Sequence, residues 1–512
     1  MRPIFSYSIV LIFLLLSSRT AQVYHISDVR DDVPFPYIER STDIVKVATP
    51  LPDTIYPSVR AIKYTNNIYD TIHNAHICNF DDPYLTDSNN VLTFRGNRYR
   101  NGNFGGKVQG IPRRIVKDWV FNTDYDMRKS NAGQWGGGTG WTGQPLLYDS
   151  LVICSSLCSK VYFLDWETGH SLQKPINVRN PIKGTAMLDP DYPNLLYVGH
   201  GVAAEKPWGC LTIDINKGQI IQFFPEDKKA WRRWGAYDSS PLRAGDYIFR
   251  PGENGTLYKW YVRNDTISLH STLQYSHNGT APGMEASMAI YRNYGYTADN
   301  EGNIICTNLN TMQPVWYYNN HDDTDASLVL EVGGHGDTIP YLYTGCEVDN
   351  QGPRGHCYLI KLNALNGEKV WETRIPCRKV SRGDKATEGG IFATPLLGQG
   401  NCSDRLFISC ITNKPAHHGD FMAIDKYTGD IIYSTNLDWY PWMSPIGFLN
   451  ENDEQFIVAG DTQGQLYLIN GTTGEILYKE IMGNNFESSP AVRSNSFVVG
   501  SRGTEIFKFH VE

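Results

Sequence analysis

The feature of this sequence that most constrains its fold is an internal repeat. Seven stretches each read as an apolar strand, a polar corner and a second apolar strand: VYFLDWETGHSL (161–172), CLTIDINKGQII (210–221), LYKWYVRNDTISL (257–269), IICTNLNTMQPVW (304–316), YLIKLNALNGEKVW (358–371), FMAIDKYTGDIIY (421–433) and LYLINGTTGEIL (466–477). The corner residues Gly169 and Gly218 stand 49 positions apart, and Gly429 and Gly474 stand 45 apart. A period of this length with short strands is typical of β-propeller blades and not of helical solenoids.

Each copy belongs to a longer unit. Each copy is preceded by a segment of Gly, Ala, Ser and Thr, as expected for an innermost strand crowded around a propeller axis. A second strand lies between that segment and the copy. An eighth unit at the C-terminus, residues 486–511, has three strands and lacks the outer one. The segment RIVKDWVFNT (114–123) has the right alternation to supply it. The sequence therefore predicts an all-β, eight-bladed β-propeller of four-stranded antiparallel blades, closed by an N-terminal strand that completes the last blade.

Length and charge narrow the function classes. The chain has 512 residues and a net charge of −8, with scattered lysines and arginines, so a basic nucleic-acid surface is not expected. Residues 1–21 begin with a basic residue and an apolar run, which predicts a cleaved signal peptide and a secreted or periplasmic protein. Residues 22–91 lack the blade pattern and are interpreted as a partly ordered extension, and residues 92–512 as the propeller. We expect a monomer with no transmembrane segment.

The cysteines suit an oxidising compartment. There are 10 of them, and none forms a C-x-x-C or haem-attachment motif. Cys346 and Cys357 flank one predicted strand-to-strand loop, and Cys402 and Cys410 lie in the next blade. The sequence predicts a disulfide within each of these pairs, with buried free thiols as the alternative.

The corner motif resembles the repeat of the pyrroloquinoline quinone (PQQ)-type β-propellers. The resemblance rests on FMAIDKYTGDIIY, LNALNGEKVW and YLINGTTGEILY, and the lead-in FRGNRYRNGNFGG (94–106) is similar to that of exported members. It implies a propeller over residues 92–512. For activity it leaves several possibilities, because this superfamily includes quinoprotein dehydrogenases, which use PQQ and calcium, and a non-catalytic outer-membrane assembly scaffold.

The sequence departs from both of these relatives. Quinoprotein alcohol dehydrogenases carry two adjacent cysteines against the cofactor, and no two cysteines are adjacent here. The scaffold is usually lipid-anchored, and no cysteine follows the N-terminal apolar run. The leading hypothesis is therefore a secreted, non-catalytic propeller that binds a protein or a glycan through its face. The alternatives are a PQQ- and calcium-dependent dehydrogenase of alcohols or sugars, and an envelope assembly scaffold.

Candidate site residues lie just before the innermost strands, where a propeller collects ligands at its axial mouth. They are Trp141, Lys183, Asp238, Glu285, Asp325, Glu388, Trp442 and Glu487. Under the dehydrogenase hypothesis, Glu285 and Asp325 are the candidate catalytic acids. In that case Trp141, Lys183, Asp238, Glu388 and Trp442 are the candidate cofactor contacts. The alternative is that these side chains only line a wet channel, and the pair Glu347 and Asp349 is interpreted as solvated loop acids.

Overall fold

The fold was analysed in a computed structural model that describes residues 22–24, 50–73, 84, 89–130, 133–201, 207–263, 266–333, 337–382, 385–414 and 418–512. The predicted signal peptide and Cys78 lie outside these residues. Strands dominate, and the helical elements described are short 3₁₀ turns at Pro57–Ala61, Phe94–Gly96 and Gly400–Cys402. No helix in the described part of the chain is long and apolar enough to span a bilayer.

Eight antiparallel sheets form the blades, and each contains four core strands, named A to D from the axis outward. Blade 1 consists of Leu146–Tyr148, Leu151–Ser155, Lys160–Asp165 and Ile176–Asn177; blade 2 of Met187–Leu188, Leu195–His200, Gly209–Asp214 and Gln219–Pro225; blade 3 of Leu242–Ala244, Tyr247–Gly252, Thr256–Arg263 and Thr266–His277; blade 4 of Ala289–Tyr291, Tyr294–Ala298, Asn303–Asn308 and Gln313–Asn319. Blade 5 consists of Val329–Val332, Pro340–Gly345, Arg354–Asn363 and Lys369–Arg378; blade 6 of Leu396–Leu397, Arg405–Cys410, Gly419–Asp425 and Ile431–Leu437; blade 7 of Ile446–Leu449, Gln455–Gly460, Gln465–Asn470 and Ile476–Ile481; blade 8 of Ala491–Arg493, Ser496–Gly500, Glu505–Val511 and Ile115–Asn122.

Six further strand pairings decorate this ring. Ile62–Ile68 extends the outer edge of blade 3, Gly106–Lys107 the inner edge of blade 7, and Gln22–Tyr24 the outer edge of blade 8. Three small two-stranded sheets are Asp126–Ser130 with Gly133–Gly136, Glu347–Val348 with Gly389–Gly390, and Val380–Arg382 with Lys385–Thr387. Ile62–Ile68 belongs to the N-terminal extension, so residues 50–73 include a segment that packs on the propeller.

The ring closes as the sequence predicted. Strand D of blade 8 is Ile115–Asn122, and it pairs antiparallel with the C-terminal strand Glu505–Val511. First and last parts of the chain therefore share one sheet, which ties the first and last blades together by main-chain hydrogen bonds. The predicted all-β, eight-bladed propeller is confirmed.

The repeated corners join neighbouring blades through tryptophan. The Trp371 indole of blade 5 donates a 2.9 Å hydrogen bond to the carbonyl oxygen of Lys426, in the corner of blade 6. Equivalent bonds run from Trp119 to Trp166 and from Trp316 to Ala364. The corner residue Gly429 has φ of +82°, and a Cβ there would lie 2.9 Å from the Trp371 ring. Glycine at this position therefore permits both the turn and the close contact with the ring, and the outer-strand tryptophans pack neighbouring blades together.

The lead-in FRGNRYR fills the axis. The buried guanidinium of Arg95 donates to the carbonyl oxygens of Pro445, at 2.8 Å, and Pro395, at 3.2 Å, in blades 7 and 6. Arg100 donates to the carbonyl oxygens of Met288 in blade 4, at 2.9 Å, and Ser240 in blade 3, at 3.4 Å. Burial lowers the pKa of Arg95 to about 9. Two cations with carbonyl acceptors thus hold the innermost strands of several blades around one central segment.

The positions of the cysteines contradict one of the two predicted disulfides. All nine cysteines of the described residues are buried, free thiols. Cys402 precedes the strand Arg405–Cys410 and Cys410 ends it, so about 16 Å of strand separates them. The predicted Cys402–Cys410 pair is therefore wrong, because it joins opposite ends of one strand. Cys346 lies within hydrogen-bonding reach of Cys357, and that pair stays a prediction.

Candidate functional site

Polar side chains gather where the strands A begin and the strands B end. These two ends meet at the same side of each blade because A and B are antiparallel neighbours. In blade 3, Asp238 precedes strand A and Glu253 directly follows strand B. The lead-in lies just below this level, since Arg100 bonds to Ser240, two residues after Asp238. We call this end of the axis the acidic mouth.

The first carboxylate group of the mouth combines blades 3 and 4. Asp238, Glu253 and Glu285 each place a carboxyl oxygen within 4.8 Å of the other two. Lys183, from blade 2, forms an ion pair with Asp238 and lies 3.8 Å from Glu285 Oε2. Burial alone would lower the pKa of Lys183, but the negative charges of Asp238, Glu285 and Glu253 outweigh it and raise that pKa. This group therefore already holds one cation, the lysine ammonium.

The second group belongs to blade 5. Asp323, Asp325 and Glu347 also bring three carboxyl oxygens within 4.8 Å of one another. Glu347 is only 2% exposed. Oδ1 of each aspartate and Oε1 of Glu347 are buried, and no hydrogen-bond donor among the described residues reaches them. No lysine, arginine or histidine of the described chain forms an ion pair with this group, and the charge of Lys183 acts on Asp325 only from beyond ion-pair distance.

The pKa values follow from this crowding. Burial, followed by the charges of neighbouring carboxyls, raises the pKa of Glu253, Asp325 and Glu347 well above the usual range. The pKa of Asp323 is raised in the same way, chiefly by burial and by Glu285. Without a cation, the raised pKa values favour the protonated form of these carboxyls. A bound cation can take the place of those protons.

The donor set fits calcium. Calcium takes six to eight oxygen ligands at 2.3–2.6 Å, so oxygens on opposite sides of the ion stand about 4.8 Å apart. The three carboxyl oxygens of the blade 5 group lie within that distance of one another. Each of the three side chains has a buried oxygen without a hydrogen-bond donor and can carry negative charge, which are the properties that a hard cation requires of its ligands. Asp323, Asp325 and Glu347 are therefore the residues that would hold it.

Neither carboxylate group includes the predicted site residues Trp141, Trp442, Glu388 and Glu487. Trp141 is 8% exposed, with its ring centroid 6.0 Å from Lys183 Nζ. Trp442 stacks on Phe392, with ring centroids 4.9 Å apart. Glu388 is partly buried and belongs to neither group, although its charge contributes to the raised pKa of Glu347.

Glu487, from blade 8, is already neutralised. Its Oε2 accepts a 2.9 Å hydrogen bond from the Arg502 guanidinium, and its Oε1 accepts a 2.8 Å bond from Asn485. This carboxylate therefore has strong donors of its own, and it differs in this respect from the carboxylates of blade 5.

Sequence reasoning missed part of the site. Asp238, Glu285 and Asp325 were predicted to approach the axis, and the structure brings each into a carboxylate group. Glu253 and Asp323 were not predicted, and Glu347 was wrongly interpreted as a solvated loop acid. The available signal was an acidic residue one or two positions after strand B, in GENG (252–255) and GCEV (345–348).

Exposed tryptophans border the first group. Trp234 donates a 2.6 Å hydrogen bond from Nε1 to Glu253 Oε2, and its side chain is still 37% exposed. Trp231, three residues earlier, is 43% exposed. Of these two rings, that of Trp234 contacts a buried carboxylate. The mouth therefore combines charged oxygens with aromatic faces.

Comparisons with known proteins show the fold alone. No protein family matches this chain, and no curated protein matches it. Among solved structures, a europium-containing methanol dehydrogenase aligns with a TM-score of 0.60 and 12% identity, covering 83% of this chain and 99% of that one. The quinohemoprotein alcohol dehydrogenase of Comamonas testosteroni aligns with a TM-score of 0.61 and 10% identity, covering 83% and 80%. BamB of Moraxella catarrhalis aligns with a TM-score of 0.52 and 14% identity, covering 78% and 100%.

Proposed function

We propose that this chain is an extracytoplasmic, non-catalytic binding propeller whose acidic mouth holds calcium and binds a glycan. The observation that carries the proposal is the blade 5 group, in which Asp323, Asp325 and Glu347 present buried oxygens that no donor of the described chain satisfies. Carboxylates in this state are costly unless they are protonated or bind a cation. At neutral pH a divalent cation stabilises these carboxylates more effectively than protons do.

The choice of a glycan rests on the tryptophans. A sugar ring presents an apolar face that packs on an indole, and its hydroxyl groups hydrogen-bond to carboxylates. Trp234 offers a partly exposed ring whose Nε1 already bonds to Glu253. Calcium supplies positive charge and free coordination positions for ligand oxygens. The side chains of the mouth can thus contact both faces of a polyhydroxylated ligand.

The first experiment tests the cation. The full chain is stripped with EDTA and titrated with calcium chloride by calorimetry, beside the variants Asp325→Asn and Glu347→Gln. Asp349→Asn is the matched control, because Asp349 lies on the same face, belongs to neither group and pairs with Lys379. We expect calcium binding by the unaltered chain and the control, and at least a tenfold loss of affinity, about 1.4 kcal/mol, in both variants. Absence of binding, or equal affinity in all four proteins, would refute the calcium site.

The second experiment tests the ligand. Binding of the calcium-loaded chain to an array of glycans is compared with binding in EDTA, and with the variant Trp234→Ala. We expect signals that require both calcium and Trp234. An intact calcium site with no glycan signal would leave the cation assignment standing and overturn the glycan assignment, in which case a protein ligand replaces it.

A PQQ-dependent dehydrogenase is the second candidate function. It is favoured by the combination of an acidic mouth with a fold that overlaps two alcohol dehydrogenases. Trp442 argues against it, because one face of this tryptophan is stacked on Phe392. The test is to add PQQ with calcium and record the retained cofactor spectrum and dye-linked oxidation of alcohols and sugars. Retention with turnover would refute the non-catalytic proposal.

A further inference from the structure

Four cysteines converge where blade 5 meets blade 6. Cys346 directly follows strand B of blade 5, Cys357 and Cys377 lie on its strands C and D, and Cys410 ends strand B of blade 6. All four side chains are at most 1% exposed. We call these residues the thiol cluster. Spacing in the sequence does not predict the cluster as a whole, because 33 positions separate Cys377 from Cys410.

Strand register explains the convergence. In blade 5, Gly355 pairs with Cys377 and Cys357 pairs with Ile375, so the two cysteines are diagonal neighbours two positions apart on facing strands. An isolated β-bridge joins Cys377 to Thr412, two residues after Cys410. The main chains of the two blades are therefore hydrogen-bonded directly beside the sulfur atoms. This bridge fixes the approach of one blade to the other.

The closest sulfur contact crosses the blade interface. Cys377 Sγ and Cys410 Sγ lie 3.7 Å apart, and Cys357 is within hydrogen-bonding reach of both Cys346 and Cys410. The described residues form two groups with three ligand atoms within 4.8 Å of one another, and both consist of carboxylates. A compact cysteine site for zinc is thus not formed. Each sulfur of the thiol cluster has another sulfur beside it, so the thiols can be oxidised in pairs to disulfides.

We propose that Cys377 and Cys410 form a disulfide that links the outer strand of blade 5 to the second strand of blade 6. The sulfurs must approach by about 1.7 Å to reach the 2.05 Å bond length, and side-chain rotation provides that on backbones already bridged. This pairing leaves Cys346 and Cys357 as neighbours for a second disulfide within blade 5. All four thiols can then pair without moving a strand.

The oxidation is a two-electron exchange with a small disulfide such as glutathione disulfide. The Cys377 thiol gives its proton to water in the adjoining cleft, and its sulfur attacks one glutathione sulfur, which leaves a mixed disulfide on Cys377 and expels a glutathione thiolate. The Cys410 thiolate then attacks the Cys377 sulfur and expels the second glutathione thiolate. Overall, two protein thiols lose two electrons and two protons, and glutathione disulfide becomes two glutathione thiols. The hydrogen bond to Cys410, followed by burial, raises the pKa of Cys377 and makes the first attack the slower step, whereas hydrogen bonds from Cys357 and Cys377 lower the pKa of Cys410 to about 6 and favour the second.

An access route reaches the pair. A cleft of about 670 Å³ opens on the mouth side of blades 5 and 6, and Cys377 forms part of its wall. The wall also includes Arg354 and Arg378, whose positive charges attract an anionic thiol reagent such as glutathione. Cys377 is thus the sulfur that an oxidant in solution meets first.

The experiment maps the bond in the full chain. Protein treated with glutathione disulfide is denatured with iodoacetamide present, digested without reductant, and analysed by mass spectrometry. We expect a peptide pair linked through Cys377 and Cys410, which becomes two alkylated peptides after reduction. Alkylated Cys377 in the oxidised sample, or a link from Cys410 to Cys357, would overturn the assignment. This readout needs no variant and is independent of the calcium and glycan tests.

A stability comparison gives a second readout. Closing a loop of this length restricts the unfolded chain, so reduction of the bond is expected to lower the Tm by about 4 °C. Cys377→Ala and Cys410→Ala should each reduce the difference between oxidised and reduced protein by about 4 °C, which leaves only the contribution of a Cys346–Cys357 bond. Cys402→Ala is the matched control, because Cys402 is equally buried and contacts Asn401 and Thr472 instead of a thiol. An unchanged difference in either cluster variant would count against the proposed bond.

Discussion

The buried carboxyl of Asp238 gives the most quantitative prediction for this protein. Burial raises its pKa from 3.8 to about 6 in the folded chain, although the charge of Lys183 acts in the opposite direction. A carboxyl with a raised pKa binds its proton more tightly in the folded than in the unfolded state. Its contribution to stability is therefore complete below the unfolded pKa of 3.8 and is lost as the pH rises through about 6.

The size of the effect follows from the two pKa values. A difference of about 2.2, from 3.8 to about 6, corresponds to about 3 kcal/mol of unfolding free energy. Unfolding entropy of about 2.1 cal/mol/K per residue gives about 0.9 kcal/mol/K for a propeller of about 420 residues. The pH-dependent loss is thus expected to lower the Tm by about 3 °C.

The assay is thermal unfolding in EDTA from about pH 4 to about pH 8, with the unaltered chain and the variant Asp238→Asn compared. The asparagine is neutral throughout, so the variant should gain about 3 °C relative to the unaltered chain across this range. The attraction between Lys183 and ionised Asp238 is already included in the pKa of about 6, so it needs no separate correction. Asp349→Asn serves as the control carboxylate. If the Tm curves of Asp238→Asn and the unaltered chain ran parallel, the raised pKa would be refuted.

Three further substitutions test the packing of the propeller. Lys183→Met should cost about 3–5 kcal/mol in EDTA, a Tm loss of about 4 °C, because buried carboxylates lose their cation. Lys479→Met is the control and should change the Tm little, because it removes an ion pair with Asp438 in which 47% and 54% of the two side chains are accessible. Arg95→Met should lower the Tm by several degrees because carbonyl groups of blades 6 and 7 lose their donor, and an unchanged Tm would contradict a structural role for the lead-in. Trp371→Phe should cost about 1 kcal/mol in urea unfolding, since it removes the indole hydrogen bond to the Lys426 carbonyl and leaves that carbonyl only the bond from Lys361 Nζ, whereas a neutral result would mean that ring packing alone joins the blades.

Much of the fold could be predicted because its signals are local. Alternation of apolar and polar residues marks strands, and a glycine in each corner, such as Gly429, marks a turn with positive φ. The missing strand of the last unit and the spare strand at 114–123 matched in pattern, so ring closure could also be inferred. The approach of Asp238, Glu285 and Asp325 to the axis followed from their position ahead of the innermost strands.

Burial and partners of individual side chains could not be predicted in this way. Glu347 and Asp349 stand two residues apart in one loop, yet Glu347 is buried against Asp325 while Asp349 pairs with Lys379 at the surface. Glu487 was predicted as a mouth residue on the same grounds as Asp325, and the structure gives it an arginine partner. Each outcome depends on which loop of the folded blade brings the next charge into contact.

The sequence by itself thus determined the repeating strand pattern, the number of blades and the approach of Asp238, Glu285 and Asp325 to the axis. Those features depend on contacts between residues close in the chain or on a regular period. Only the tertiary structure decided that the carboxylates of blades 3 to 5 form two groups, one with a lysine and one without. It alone brought Cys377 to Cys410, because convergence at an axis and contact across a blade interface join residues whose spacing in the chain carries no signal.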